Sequence, residues 1–152
     1  MGGDDLVPVL SGIDLFSGLS PRVLGRIVEG GHVADYPAGA VVLVQGDPVT
    51  GFRAFSPAGA EMHVVLDGSA RVDVNGDTHA VLGSGAYFGE ISLIDGRPRS
   101  ADVVAGPDGL RTLAISKWAF EELLEKHPEI AVPMLRVLAA RLRADEGDAG
   151  PA

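Results

Sequence analysis

From His32 to Ile115 the chain is cut into short β-branched runs, "GAVVLVQGD", "MHVVLDG", "ARVDVNGD", "THAVLG" and "LRTLAIS", most of them closed by Gly, Asp or Asn. Turn signals recur about every ten residues with no long helical period between them, which predicts an antiparallel barrel or sandwich. Val72 and Val74 alternate with Arg71 and Asp73, and the Asn75-Gly76 pair that follows is a strong two-residue hairpin signal. Aromatic residues are only 5% of the chain against 46% hydrophobic, so the core has to be built from Val, Leu, Ile and Ala.

Both flanks carry a helical period instead. Ser20-Pro21 is an N-cap followed by proline at the first helical position, and Val23, Leu24 and Ile27 repeat at helical spacing until Gly30 and Gly31. After Ser116, Phe120, Leu123 and Leu124 form one apolar face, and His127-Pro128 ends that helix and starts another carrying Ala131, Leu135, Leu138, Ala139 and Leu142. The order is helix, β-barrel, helix, in one domain over residues 1–143, with an acidic tail of disorder-like composition at 144–152.

A net charge of −9 argues against a broad nucleic-acid or anionic-membrane surface, since both are bound through excess Lys and Arg. Any bound anion has to be held locally. The chain has no cysteine, and its start, "MGGDDLVPVL", has neither a basic n-region nor a long apolar run, so a cytoplasmic protein with no membrane span is expected.

One stretch concentrates the chemistry. "YFGEISLIDGRPRSADV", Tyr87 to Val103, delivers Glu90 to the start of a short apolar run after a glycine, then turns and presents Arg99 and Ser100. A helix beginning near Gly89 offers free N–H groups to an anion, and a glycine there lets the backbone come close. Arginine is a planar fork of donors suited to phosphate oxygens, with a serine hydroxyl for a further contact. An ionised Glu90 only accepts, so it calls for hydroxyl donors such as a sugar provides. Together these describe a nucleotide whose sugar and phosphate lie close together.

The same residues resemble the phosphate-binding cassette of cyclic nucleotide-binding domains, the module of catabolite-activator-type regulators, regulatory subunits of cyclic-AMP-dependent protein kinase and cyclic-nucleotide-gated channels. Phe88, Gly89, Glu90, Ile91, Ser92, Leu93 and Ile94, then Pro98, Arg99, Ser100 and Ala101, follow that pattern position by position. "YPAGAVVLVQGDP", "VVLDGSARV" around Gly68, and "LFSGLS" resemble other parts of the family, and the likeness covers about residues 10 to 143. It implies a mainly β fold, an antiparallel jelly-roll barrel, cupin-like, with short N-terminal helices and two C-terminal ones. It further implies Glu90 on the ribose 2′-hydroxyl, Arg99 on the cyclic phosphate, and backbone N–H groups near Gly89 and Ala101 with the Ser100 hydroxyl completing the phosphate contacts. Phe88, Ile91 and Ser92 complete the expected ligand-binding set. Cyclic AMP is favoured over cyclic GMP because bacterial cyclic-AMP activators also place Ser after the arginine.

Competing readings are weaker. Glu90 and Arg99 could form a purely structural ion pair, but the surrounding pattern favours a ligand. The four histidines, His32, His63, His79 and His127, lack metal-ligand spacing, Glu61 and His63 being the best pair, so no metal and no cofactor are expected. No G-x-S-x-G elbow is present, and no catalysis is expected. Arg97 reads as a solvated turn residue and Trp118 as packing against the barrel. Arg141 and Arg143 could stack on a purine, with capping of the last helix the simpler reading.

The expected output is a shift of the C-terminal helices, around Phe120, Leu124, Leu135 and Leu138, over the bound base, which regulates an effector protein in trans because no recognition helix follows. A homodimer is compatible with apolar residues on more than one face of the final helix. The extension "VTGFRAFSPAGA", Val49 to Ala60, with Phe52 and Phe55, reads as a docking loop. The alternative function is a ligand-independent interaction module that kept the fold and lost nucleotide affinity.

Overall fold

A computed structural model of the chain describes residues 3–49 and 60–145. The 49–60 extension, apart from Val49 and Ala60, and the tail beyond residue 145 lie outside the described residues. Among the described residues there are six strands, β1 (His32–Tyr36), β2 (Val41–Leu43), β3 (Glu61–Val74), β4 (Asp77–Leu82), β5 (Tyr87–Phe88) and β6 (Asp102–Ser116), of which β1 and β5 are not among the runs read from the sequence. Every pairing is antiparallel, in the order β1-β6-β3-β4, with β2 also on β6 and β5 also on β3. The β3–β4 hairpin turns at Asn75 and Gly76, whose φ of +53° and +86° are those of the two-residue turn the Asn-Gly pair signals.

One departure shapes the roll. "MHVVLDG" and "ARVDVNGD" read as separate runs around Gly68, yet they are one strand. Gly68 has φ +78° and Gly109, next to its ladder partner Leu110 on β6, has φ +82°. The register slips between Val65 and Asp67 and between Gly68 and Ala70, so β3 and β6 bend together without ending. A Cβ on Gly68 would stand 2.1 Å from the Gly109 carbonyl oxygen. Gly68→Ala is therefore expected to lower stability by more than the ~1–2 kcal/mol that a left-handed residue costs by itself. An unchanged denaturation midpoint would contradict this account of the bend.

The bend separates two cores. Inside the roll lie Val42, Leu43, Val65, Ala70, Phe88, Val103, Ala105 and Leu110. The outer face of β3, through Met62 and Val64, joins Tyr87, Leu113 and Ile115 in a second core with the helices. Those helices are α1 (Gly3–Ser11) and α2 (Pro21–Gly30) before the sheet, a six-residue α3 (Glu90–Asp95) within it, and α4 (Lys117–Lys126) and α5 (Ala131–Asp145) after it. Ser20 and Ser116 cap α2 and α4, accepting from the N–H groups of Val23 and Ala119.

Two expectations for the C-terminal helices are corrected. Trp118 does not pack on the barrel but is 78% exposed, because Phe120 and Leu123 take the inner face of α4 and turn a residue two positions earlier outward. On α5 the docked face is Met134, Val137 and Leu138, continuing Ile130, while Leu135 and Leu142 point to solvent.

Candidate functional site

The site is built at the corner where β5 passes into α3. Tyr87 and Phe88 pair with Val64 and His63 of β3, which fixes the start of the turn. Gly89 is the N-cap of α3 with φ +86°, and a Cβ there would lie 3.0 Å from the Glu61 carbonyl oxygen and 3.1 Å from Arg99 Nη1. Only glycine provides both the backbone angle and the clearance. Gly96, also left-handed, closes α3 after six residues.

Arg99 lies three residues before β6 begins at Asp102, so it belongs to the loop and not to the strand. Its backbone is nevertheless fixed: its N–H donates to the Asp47 carbonyl at 2.8 Å and its carbonyl accepts from Gly46 N–H at 2.8 Å. This explains the Gln-Gly-Asp-Pro turn, whose backbone clamps the loop, while Gln45 N–H donates to Asp102 Oδ1 at 2.7 Å. The arginine is 4% exposed and its guanidinium ties the N-cap of α3 to the start of β3, Nη1 donating to the Gly89 carbonyl and Nη2 to the Glu61 carbonyl, each at 2.8 Å. Burial pulls its pKa down, opposed by the charges of Glu61, Glu90 and Asp47.

Glu90 is fully buried on the first turn of α3. Its Oε1 accepts from Arg141 Nη1 at 2.5 Å, and Arg141 Nη2 donates to the Tyr87 carbonyl at 2.7 Å. The Arg141 guanidinium also stands 5.6 Å from the centroid of the Tyr87 ring, a cation–π distance. Oε2 of Glu90 is buried with no hydrogen-bond partner. Burial pushes the carboxyl pKa up, with Arg141 the main opposing influence.

Of the residues expected to bind ligand, Gly89, Glu90 and Arg99 are brought together. Phe88 points into the roll and stacks on His63, Ile91 is half-buried, and the Ser92 hydroxyl donates to the Pro98 carbonyl at 3.3 Å. Ser100 is exposed and Ala101 half-buried on the chain leading into β6, and Arg97 is exposed in the turn, as read. Arg141 is the residue whose role sequence reasoning missed. It does not cap α5; it reaches across to the cassette, because it shares the docked face with Met134, Val137 and Leu138 at i+7, i+4 and i+3 spacing. That spacing was present in the sequence, obscured by Leu135 and Leu142 on the other side. Among the described residues no group of three or more His, Cys, Asp or Glu could hold a metal ion.

The structure is thus a rolled antiparallel sheet with a buried arginine and a glycine-led helix at one corner, and a terminal helix fastened to that corner. The family model described as "Cyclic nucleotide-binding domain" matches residues 33–127. The chain belongs to the cyclic nucleotide-binding domain family. It is 37% identical over 123 residues to a cyclic nucleotide-gated potassium channel of Mesorhizobium japonicum, covering 81% of this chain and 31% of the channel. It is 32% identical over 139 residues to the cyclic AMP receptor protein of Thermus thermophilus, covering 88% of this chain and 59% of that protein. A crystal structure of a cyclic nucleotide-binding domain from Methylobacillus flagellatus superposes with a TM-score of 0.72 at 26% identity, over 97% of this chain and 82% of that one. The chain thus spans about a third to three-fifths of these curated relatives. Among the described residues, no helix is long and apolar enough to cross a membrane.

Proposed function

We propose that this domain binds a cyclic purine nucleotide, cyclic AMP in preference to cyclic GMP, and passes the event to a partner protein by repositioning α4 and α5. The observation that carries this reading is the division of labour on Glu90. One carboxylate oxygen is held by Arg141 of α5, and the other is a buried acceptor with no partner. A ribose hydroxyl is a donor of the right kind for that second oxygen. Arg99, held rigidly by two backbone carbonyls beside the start of α3, takes the cyclic phosphate. Glu90 then touches ligand and α5 at once, so that occupation of the site is felt by the terminal helix. The preference for cyclic AMP draws support from relatives whose names carry it, the Thermus thermophilus receptor and a regulator of Mycobacterium tuberculosis.

The ligand can shift the helices only by its difference in affinity for their two arrangements. Calorimetric titration of the protein with cyclic AMP and cyclic GMP is the test. Saturable binding at one site, tighter for cyclic AMP, is expected. No heat and no competition with either nucleotide would leave the ligand-independent interaction module as the better account.

A further inference from the structure

Arg99 gives both its backbone N–H and its carbonyl to the turn at Gly46 and Asp47, each at 2.8 Å. That turn has little of its own to hold it in place. Val44, Gly46 and Asp47 are exposed, and the turn closes on itself through Asp47 N–H and the Val44 carbonyl at 3.1 Å, with Gly46 left-handed at φ +89°. An exposed turn with so few bonds keeps a fixed position only if something outside supports it.

Gln45, half-buried beside them, is that support. Its N–H donates at 2.7 Å to Oδ1 of Asp102, the first residue of β6. Its side-chain amide meets Asn75 at the tip of the β3–β4 hairpin, Nε2 donating to Asn75 Oδ1 at 3.0 Å and Oε1 accepting from Asn75 N–H at 2.9 Å. The amide can sit only one way round, because turned over it would set its NH2 against the Asn75 N–H. Asn75 is itself fixed by the two-residue turn, where its φ is +53°.

The same corner resolves a conflict of charge. Asp73 on β3 lies opposite Asp102 on β6, and like charges directly across a ladder are destabilising. Asp73 accepts from Arg71 Nε at 3.0 Å and from the Thr78 hydroxyl at 2.9 Å, and Asp102 accepts from Gln45 N–H. The hairpin, the start of β6 and the turn that holds Arg99 therefore meet at Gln45. We propose that Gln45 and Asn75 are positioning residues for nucleotide binding: their amide pair fixes the turn, and the turn sets the backbone from which Arg99 reaches the phosphate. This rests on the reading that the cyclic phosphate sits at Arg99. The carbonyls of Gly89 and Glu61 orient the guanidinium, and the Gln45–Asn75 strut fixes the other end of the same residue.

The test compares three variants with wild type. Gln45→Ala removes both side-chain bonds, Asn75→Gly keeps the left-handed turn but loses the Oδ1 acceptor, and Asn75→Asp keeps both the turn and an acceptor. By calorimetric titration, Gln45→Ala is expected to bind cyclic AMP roughly fivefold more weakly than wild type and Asn75→Gly roughly twofold more weakly. Asn75→Asp is expected to bind like wild type. In the Arg99→Lys background Gln45→Ala should weaken binding less, because a point charge depends less than a planar fork on the angle at which it is held. In ligand-free Gln45→Ala the amides of Gly46 and Arg99 should exchange hydrogen faster than in wild type. The Val65 amide, which donates to the Ala86 carbonyl at 2.8 Å, should exchange as before, which marks the change as local. Unweakened binding by Gln45→Ala, an equal loss in the Arg99 and Lys backgrounds, or unchanged exchange at Gly46 and Arg99 overturns the positioning role while the phosphate reading stands. Failure of wild type to bind any cyclic nucleotide overturns both.

Discussion

Replacing Arg99 by alanine is expected to weaken cyclic AMP binding by about 2–5 kcal/mol, the loss seen when one member of a desolvated, hydrogen-bonded charge pair is removed. The size follows from the arginine's setting. Its guanidinium is almost fully buried and already oriented by the carbonyls of Gly89 and Glu61, so no ordering of that side chain opposes capture of an anion. The variant also leaves those two carbonyls without their donor, at about 1–3 kcal/mol for each group left unsatisfied. Thermal denaturation therefore has to accompany the titration. Arg99→Lys separates the two effects, because lysine restores the charge as a point but cannot bridge the carbonyls as a fork. An affinity between those of wild type and alanine is expected for it. If Arg99→Ala folds and binds cyclic AMP like wild type, the phosphate site lies elsewhere.

The second large effect is on stability. Arg141→Ala leaves the fully buried Glu90 carboxylate without its partner, and a loss of about 3 kcal/mol is expected, the low end for breaking a buried ion pair because Arg141 is itself partly exposed. The pH dependence identifies the cause. Burial already raises the folded-state pKa of Glu90 above its unfolded value, and removing Arg141 removes the main influence holding it down. A carboxyl with a raised folded pKa binds more protons folded than unfolded, so its contribution to stability is best at low pH and declines as pH rises through the unfolded and then the folded pKa. The deficit of Arg141→Ala should therefore shrink on acidification, as Glu90 takes up a proton. Glu90→Gln in the same background should remove most of that pH dependence. A deficit independent of pH would show that Arg141 acts through packing of α5 alone.

How much of this was legible in the sequence depended on distance along the chain. The cassette was readable because Phe88 to Ile94 and Pro98 to Ala101 are contiguous, and their chemistry is set by a local turn, a left-handed glycine and a short helix. The hairpin at Asn75-Gly76 and the capped start of α2 were readable for the same reason. The bend at Gly68 was misread as an end, because a glycine that closes a strand and one that folds it differ only in what lies opposite, here Gly109. The role of Arg141 needed to know which side of α5 docks, and a helix with apolar residues on several sides leaves that to its neighbours. The bond between His63 and Thr112, 49 residues apart, could not be seen in one dimension.

Trp118 carries a practical consequence of its outward position. It is the chain's single tryptophan, it is 78% exposed, and it stands on the first turn of α4, where the sheet hands over to the terminal helices. The molecule thus has a built-in fluorophore at its joint, with no second indole to blur the signal. Excited at the red edge of its absorption, beyond that of Tyr36 and Tyr87, its emission maximum and its quenching by small solutes read the surroundings of that joint in unlabelled protein.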